Sequence, residues 1–383
     1  MTGQQIKRKC ARNRVRNCVG KSARRLAALL CITSVMLVGC RTAGVVPEPP
    51  APDSEFAGIW QAAPHRAIAE PAEERNILVF SHSEGFAHQS IGWTEVALNF
   101  LAQKTGAFEV TVSTDMAVFE SSYLARFDAV LFNNTTQLTF DDPNQRRALL
   151  DFARNGKGVV GIHAATDNFY NWPEAAAMMG GLFDGHPWHA GGTWAVKIDE
   201  PDHPLNASFE GKAFLIKDEI YQIKGPYSRD THRVLLSLDM SNMRNHQVEG
   251  IKRDDGDFAI SWVKPFGEGR VFYCSLGHNL EVFENSAVLA HYLAGIQYAL
   301  GDLEIDDAPS NTLATQPLPA LTTDVGAIED PFAVVVGLDF GSSRMSQAAI
   351  EATIRNAAPE QHRAIEDRLI EILENPSSTY LSL

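Results

Sequence analysis

The chain has 383 residues and a formal net charge of −14, with 45% hydrophobic and 21% charged residues, which is enough apolar content for a full core. Length alone allows two or three domains at about 150 residues each. The charge is uneven: residues 1–40 hold nine Lys or Arg and no Asp or Glu, so the rest of the chain is near −23, which weighs against nucleic-acid binding unless its few basic groups cluster.

Residues 26–38 (LAALLCITSVMLV) form an apolar run behind that basic stretch. The run is too short to span a bilayer, which takes about 20 apolar residues, and has the size of a secretory signal core. It ends in Leu37-Val38-Gly39-Cys40, which resembles the bacterial lipobox. The resemblance implies that residues 1–40 are removed up to a lipidated Cys40. Because Arg41 stands where an inner-membrane lipoprotein carries Asp, it also implies an anchor in the outer membrane facing the periplasm. An ordinary signal peptide cut elsewhere is the alternative. Cys10, Cys18, Cys31 and Cys40 lie in this leader and only Cys274 lies beyond it, so the body has no internal disulfide.

Residues 41–74 are rich in Pro and Ala and read as a tether. Short apolar runs and helical spacings then alternate: strands at 76–81, 108–113, 129–133 and 158–163, helices at 91–104 and 143–155, the second closed by Gly156. Near-continuous apolar strands separated by helices predict an α/β fold, a mostly parallel sheet with helices on both faces. Strand-like runs at 193–198, 233–238, 258–263 and 270–275 and a helix at 285–300 complete a domain over 75–301. Residues 302–330 read as a second linker, and 331–383 as a helical extension with amphipathic helices at 346–356 and 360–374. This pair either docks on the main domain or is the start of a helical array.

Ligands of open parallel sheets bind at the carboxyl ends of the strands. The polar residues there are Ser81 to Ser90 with His88, Asn133 to Thr136, and His163 to Asp167; further clusters are Asp184 to His189, Asp218-Glu219 and Gly277-His278-Asn279. His163 follows an apolar strand, and its imidazole could serve as base, acid or metal ligand, or simply shape the turn. Asp167 either orients that imidazole or caps the next helix. His278 and His88 carry the same choice between chemistry and turn stabilisation. Pro187 between His186 and His189 weighs against a helical metal pair, and a divalent metal is left open. Trp172 and Trp188 are either sugar-stacking rings or core. Neighbouring residues on an extended strand face opposite sides, so only one of Asp218 and Glu219 should face a crevice, and Glu219 is the choice made here.

The runs GVVGIHAATDNFYNWP, GGLFDGHPWH, DHP at 202–204, KDEIY and GRVFYCSLGH occur in an order and spacing that resemble the ThuA-like (trehalose utilisation) family over about residues 75–300. The resemblance implies a flavodoxin-like fold of the class I glutamine-amidotransferase type, with His163 where related amidotransferases carry a nucleophilic Cys. It further implies a carbohydrate substrate, a 3-keto-glycoside made by a partner sugar dehydrogenase. His163, His278, Glu219 and Asp167 are then the candidate catalytic groups, and His88, Trp172, His186 and Trp188 line the substrate crevice. No phosphate loop or dinucleotide fingerprint is present, so hydride chemistry would belong to the partner. A non-catalytic sugar-binding or scaffold lipoprotein and a metal-dependent hydrolase are the competing readings.

Overall fold

The computed structural model describes residues 54–310 and the short strand Tyr380–Ser382. The leader with Cys40, residues 41–53, the linker beyond 310 and both C-terminal helices lie outside the described residues. In chain order the strands are β1 (Asn76–Phe80), β2 (Glu109–Ser113), β3 (Ala129–Asn133), β4 (Gly158–Ile162), β5 (Leu182–Phe183), β6 (Thr193–Ile198), β7 (Ala213–Lys217), β8 (Ile223–Lys224), β9 (Arg233–Leu238), β10 (Ala259–Phe266), β11 (Gly269–Cys274) and β12 (Tyr380–Ser382). The α-helices are α1 (Ala57–Ala62), α2 (Ile91–Thr105), α3 (Ser121–Leu124), α4 (Pro143–Arg154), α5 (Pro173–Met179), α6 (Met243–His246) and α7 (Ser286–Leu300). Among the described residues none of them is long and apolar enough to cross a membrane.

The main sheet runs β12-β7-β6-β9-β10-β11-β4-β3-β1-β2, and β5 pairs with β8 apart from it. The segment β2-β1-β3-β4-β11 is parallel throughout. From β11 onward β10, β9, β6 and β7 are antiparallel. This is the α/β architecture expected of an amidotransferase-like fold, extended on one side by an antiparallel half. In β1, Ile77 and Val79 join one core with α2 and α7, while Leu78 and Phe80 join the other with α4 and α5. Successive side chains point to opposite faces, so a strand covered on both sides must be apolar at every position.

Helix boundaries follow their local chemistry. Asp142 caps α4 by accepting from Asn144 N at 2.8 Å, with Pro143 in the first turn where its missing N–H costs nothing. Asn285 caps α7 through Ala287 N and Val288 N. Helix α7 is buried nearly all round, because residues within the stretch read as a tether lie over it. Ile59 of α1 is buried, and the Gln297 amide binds Ile68 N, Ala69 N and Ala69 O. Arg75 grips Asp302 (Nη2 to Oδ1, 2.7 Å), and residues 302–310 return to β9, where Ser310 Oγ accepts from Val234 N. The packed domain thus extends beyond 75–301 at both ends. The tether composition is Pro-rich, yet its Phe56, Ile59 and Trp60 are the side chains that dock: Phe56 on Trp93 and Trp60 on Phe100.

Candidate active site

Strand β4 ends at Ile162, and His163 begins a 3-10 turn (His163–Thr166) with φ +47°, a left-handed conformation that costs a non-glycine residue about 1–2 kcal/mol. The turn aims the imidazole back across the sheet end. It is fully buried, and its Nδ1 lies 2.7 Å from Ser275 O. A carbonyl can only accept, so Nδ1 carries the hydrogen and Nε2 presents a lone pair. That Nε2 is 3.3 Å from His278 Nδ1 and 3.8 Å from Glu219 Oε1. Desolvation, with His88 nearby, holds His163 well below the usual histidine range, so it is neutral.

His278 follows β11 after Gly277, whose φ of +126° suits glycine and where an added Cβ would crowd Ile162 and the Tyr292 hydroxyl at 3.2 Å. Two backbone amides around it are held by one buried carboxylate: Asp218 Oδ2 accepts from Gly277 N and Oδ1 from Asn279 N, each at 2.7 Å. Burial pushes the Asp218 carboxyl up to about 7, while the amides of Asn279 and Gly277 pull it down. Its neighbour Glu219 points the other way. Glu219 Oε1 lies 3.3 Å from His278 Nδ1 and Oε2 lies 3.3 Å from His186 Nδ1. Hydrogen bonding to Glu219 raises the His278 pKa.

His88 closes the group from the loop after β1, with ring centroids 4.9 Å from His163 and 5.2 Å from His278. It is buried, its Nδ1 has no hydrogen-bond partner, and desolvation followed by the His278 charge lowers its pKa to about 4. One ligand atom from each of His88, His163, Glu219 and His278 lies within 4.8 Å of the others. Three imidazoles and a carboxylate, with an orphaned buried nitrogen and a tautomer fixed by a backbone carbonyl, fit a borderline divalent cation such as zinc or manganese.

Over residues 76–299 the chain matches the family described as "ThuA: Trehalose utilisation". The chain belongs to the ThuA family. A ThuA-like protein from Bacteroides uniformis is 25% identical with a TM-score of 0.49, covering 60% of this chain and 94% of its own. A ThuA-like protein from Parabacteroides merdae is 18% identical with a TM-score of 0.46, covering 64% of this chain and 98% of its own. A search of curated proteins finds no match.

Of the residues expected from sequence, the ThuA domain brings His163, His278, Glu219, His88 and His186 together. Asp167 is not part of the cluster. It stands on the rim, where its carboxylate accepts the Tyr170 hydroxyl, and burial raises its pKa. Trp172 and Trp188 do not line the crevice. Trp172 packs on Phe140 and Phe169 in the core, and Trp188 is fully buried against Phe258 with its Nε1 donating to Asn245 O at 2.7 Å. Large rings satisfy the core first, and nothing local in the sequence marks which ring stays exposed. His189 sits against Trp194, away from the cluster. Cys274 is buried in β11 with its thiol pushed up to about 12 by burial, which leaves no thiolate for an amidotransferase-type attack. Sequence reasoning missed the part of Asp218 in presenting His278, and the rim residues Phe86 and Tyr170.

Proposed function

We propose that this ThuA domain holds a divalent cation on His88, His163, Glu219 and His278 and cleaves 3-keto-glycosides supplied by a sugar dehydrogenase. The observation that carries the reading is the convergence of these four ligand atoms within 4.8 Å at the strand ends. The trehalose-utilisation family supplies the carbohydrate context. Bound there, the cation would polarise the ketone oxygen and stabilise the negative charge that develops on it.

A ketone at carbon 3 acidifies the proton on carbon 2. His186 is the base: it is half exposed (52%), its Nδ1 faces Glu219 Oε2 at 3.3 Å, and Nε2 is left to accept a proton. As the carbon 2 C–H bond breaks, a double bond forms between carbons 1 and 2 and the bond from carbon 1 to the glycosidic oxygen breaks. The proton taken by His186 is returned to that oxygen, and water adds to the resulting enone. Glu219 orients His186 with one oxygen while its other oxygen faces the histidines. His163 and His278, expected from sequence as acid and base, serve in this arrangement as ligands, because His163 Nε2 and His278 Nδ1 face each other and Glu219 Oε1.

The test is to load the full chain with Zn(II) or Mn(II) and incubate it with trehalose and 3-ketotrehalose, with and without chelator. Cleavage of the keto-sugar alone, lost on chelation and in His186→Ala, is the expected result. No turnover across a panel of keto-glycosides by metal-loaded protein would count against it. Cleavage of unmodified trehalose would favour a metal-dependent hydrolase. The leader and the run ending in Cys40 support a lipid anchor on the periplasmic face of the outer membrane, tested by fractionating cells that carry Cys40→Ser.

A further inference from the structure

The large apolar side chains most exposed among the described residues are Ile68, Phe86, Val112 and Tyr170. Two of these four stand at the mouth of the histidine cluster, on the loops after β1 and β4. Phe86 is 64% exposed, yet its loop is firmly fixed. Glu84 N and Gly85 N donate to Thr136 O, Thr136 Oγ1 donates to Phe86 O at 2.9 Å, and Glu84 Oε2 accepts from Thr139 N. The ring meets His88 edge-on with centroids 4.8 Å apart. It therefore lies one ring outward from the ligand group.

Tyr170 is 41% exposed and held by its hydroxyl, which donates to the Asp167 carboxylate and reaches Phe183 O at 3.4 Å. Phe183 in turn packs on Tyr221 at 4.4 Å, and Tyr221 on His163 at 4.5 Å. Lys224 Nζ lies 5.6 Å from the centre of the Tyr170 ring, occupying one face. The two loops are joined through Thr136-Gln137: Thr136 holds residues 84–86 and Gln137 N donates to Asp167 O at 2.6 Å.

We propose that Phe86 and Tyr170 form a stacking subsite for the leaving-group ring of a two-ring glycoside. This rests on the function proposed above and names its substrate class: a disaccharide or aryl glycoside, with the reacting ring at the cluster and the departing ring at the rim. Rigid aromatic faces held in water at low entropic cost suit the C–H faces of a pyranose or an aromatic aglycone. The Asp167 carboxylate beside Tyr170 is placed to accept a hydroxyl of that ring.

Calorimetric titration of the full-length protein with trehalose, 4-nitrophenyl glucoside and methyl glucoside tests the subsite without requiring turnover. The expected result is that Phe86→Ala and Tyr170→Ala each weaken the two-ring ligands about 2- to 10-fold and leave methyl glucoside within about 2-fold. Phe86→Trp should restore binding, and a thermal melt of each variant reports whether it folds. Equal losses for all three ligands, no loss for any, or no binding of any by the parent protein would overturn the subsite. The two readings fail separately. Ring-selective binding with no cleavage of any keto-glycoside removes the reaction and leaves the subsite, whereas cleavage of keto-glycosides with no ring selectivity removes only the subsite.

Discussion

The parallel and antiparallel halves of the sheet build different parts of one site. The parallel half delivers three of the imidazoles, each on the chain that follows a strand: His88 after β1, His163 after β4 and His278 after β11. The antiparallel half delivers the carboxylates, Asp218 and Glu219 after β7, on chain that turns back until Tyr221 N meets Ser275 Oγ. The histidines would be three neutral donors without a charge partner. The carboxylates would be a solvated pair without a second sheet to face. The cluster of three histidines and Glu219 arises only where the halves meet.

The sharpest way to break this division is to remove one ligand from each half. His163→Gln and Glu219→Gln should each lower metal affinity by more than about 100-fold, measured by calorimetry on the full chain. Retention of tight binding in Glu219→Gln would mean that the parallel half suffices. Next in size is an acid effect carried by a buried histidine, His291, whose nitrogens face Ser261 Oγ and Leu205 O, each at 2.8 Å. Burial pushes its pKa down to about 4 from an ordinary 6.5. The folded state therefore refuses a proton that the unfolded state takes. Stability is fully present above about pH 6.5 and falls as pH drops toward 4, by on the order of 3 kcal/mol. Urea melts across that range should show the loss, and His291→Gln should make it shallower without removing it, because burial lowers His88, His163 and His232 in the same sense.

Asp218→Asn should weaken metal binding about 10- to 100-fold, because an amide offers one acceptor oxygen where Gly277 N and Asn279 N each need one. Unchanged affinity would detach the His278 loop from the antiparallel half. The smallest expected effect is on sugar binding by Trp172→Phe, under about 2-fold, since that ring belongs to the core. A larger loss in the same titrations would return it to the crevice.

The strands were legible because each was apolar at nearly every position, and the rule that ligands gather at strand carboxyl ends led directly to His163, His278 and His88. Alternation along an extended strand said that only one of Asp218 and Glu219 faces the crevice, and it did not say which. The rest depended on long-range packing. Whether Trp172 or Tyr170 stays at the surface is decided by Phe140, Phe169 and Asp167, which no local pattern ties to either ring. The docking of residues 54–69 was hidden for a related reason: three aromatic and aliphatic side chains do the packing, while composition reports only the prolines on either side of them.

The grip of Arg75 on Asp302, with Gln297 holding residues 68 and 69, has a mechanical consequence. The two ends of the ThuA domain are fastened to each other before either reaches the central strands. Tension applied between residues 54 and 310 would first load α1 at one end and the hydrogen bonds of Ser310 to His232 and Val234 at the other, and would reach this fastening only after them.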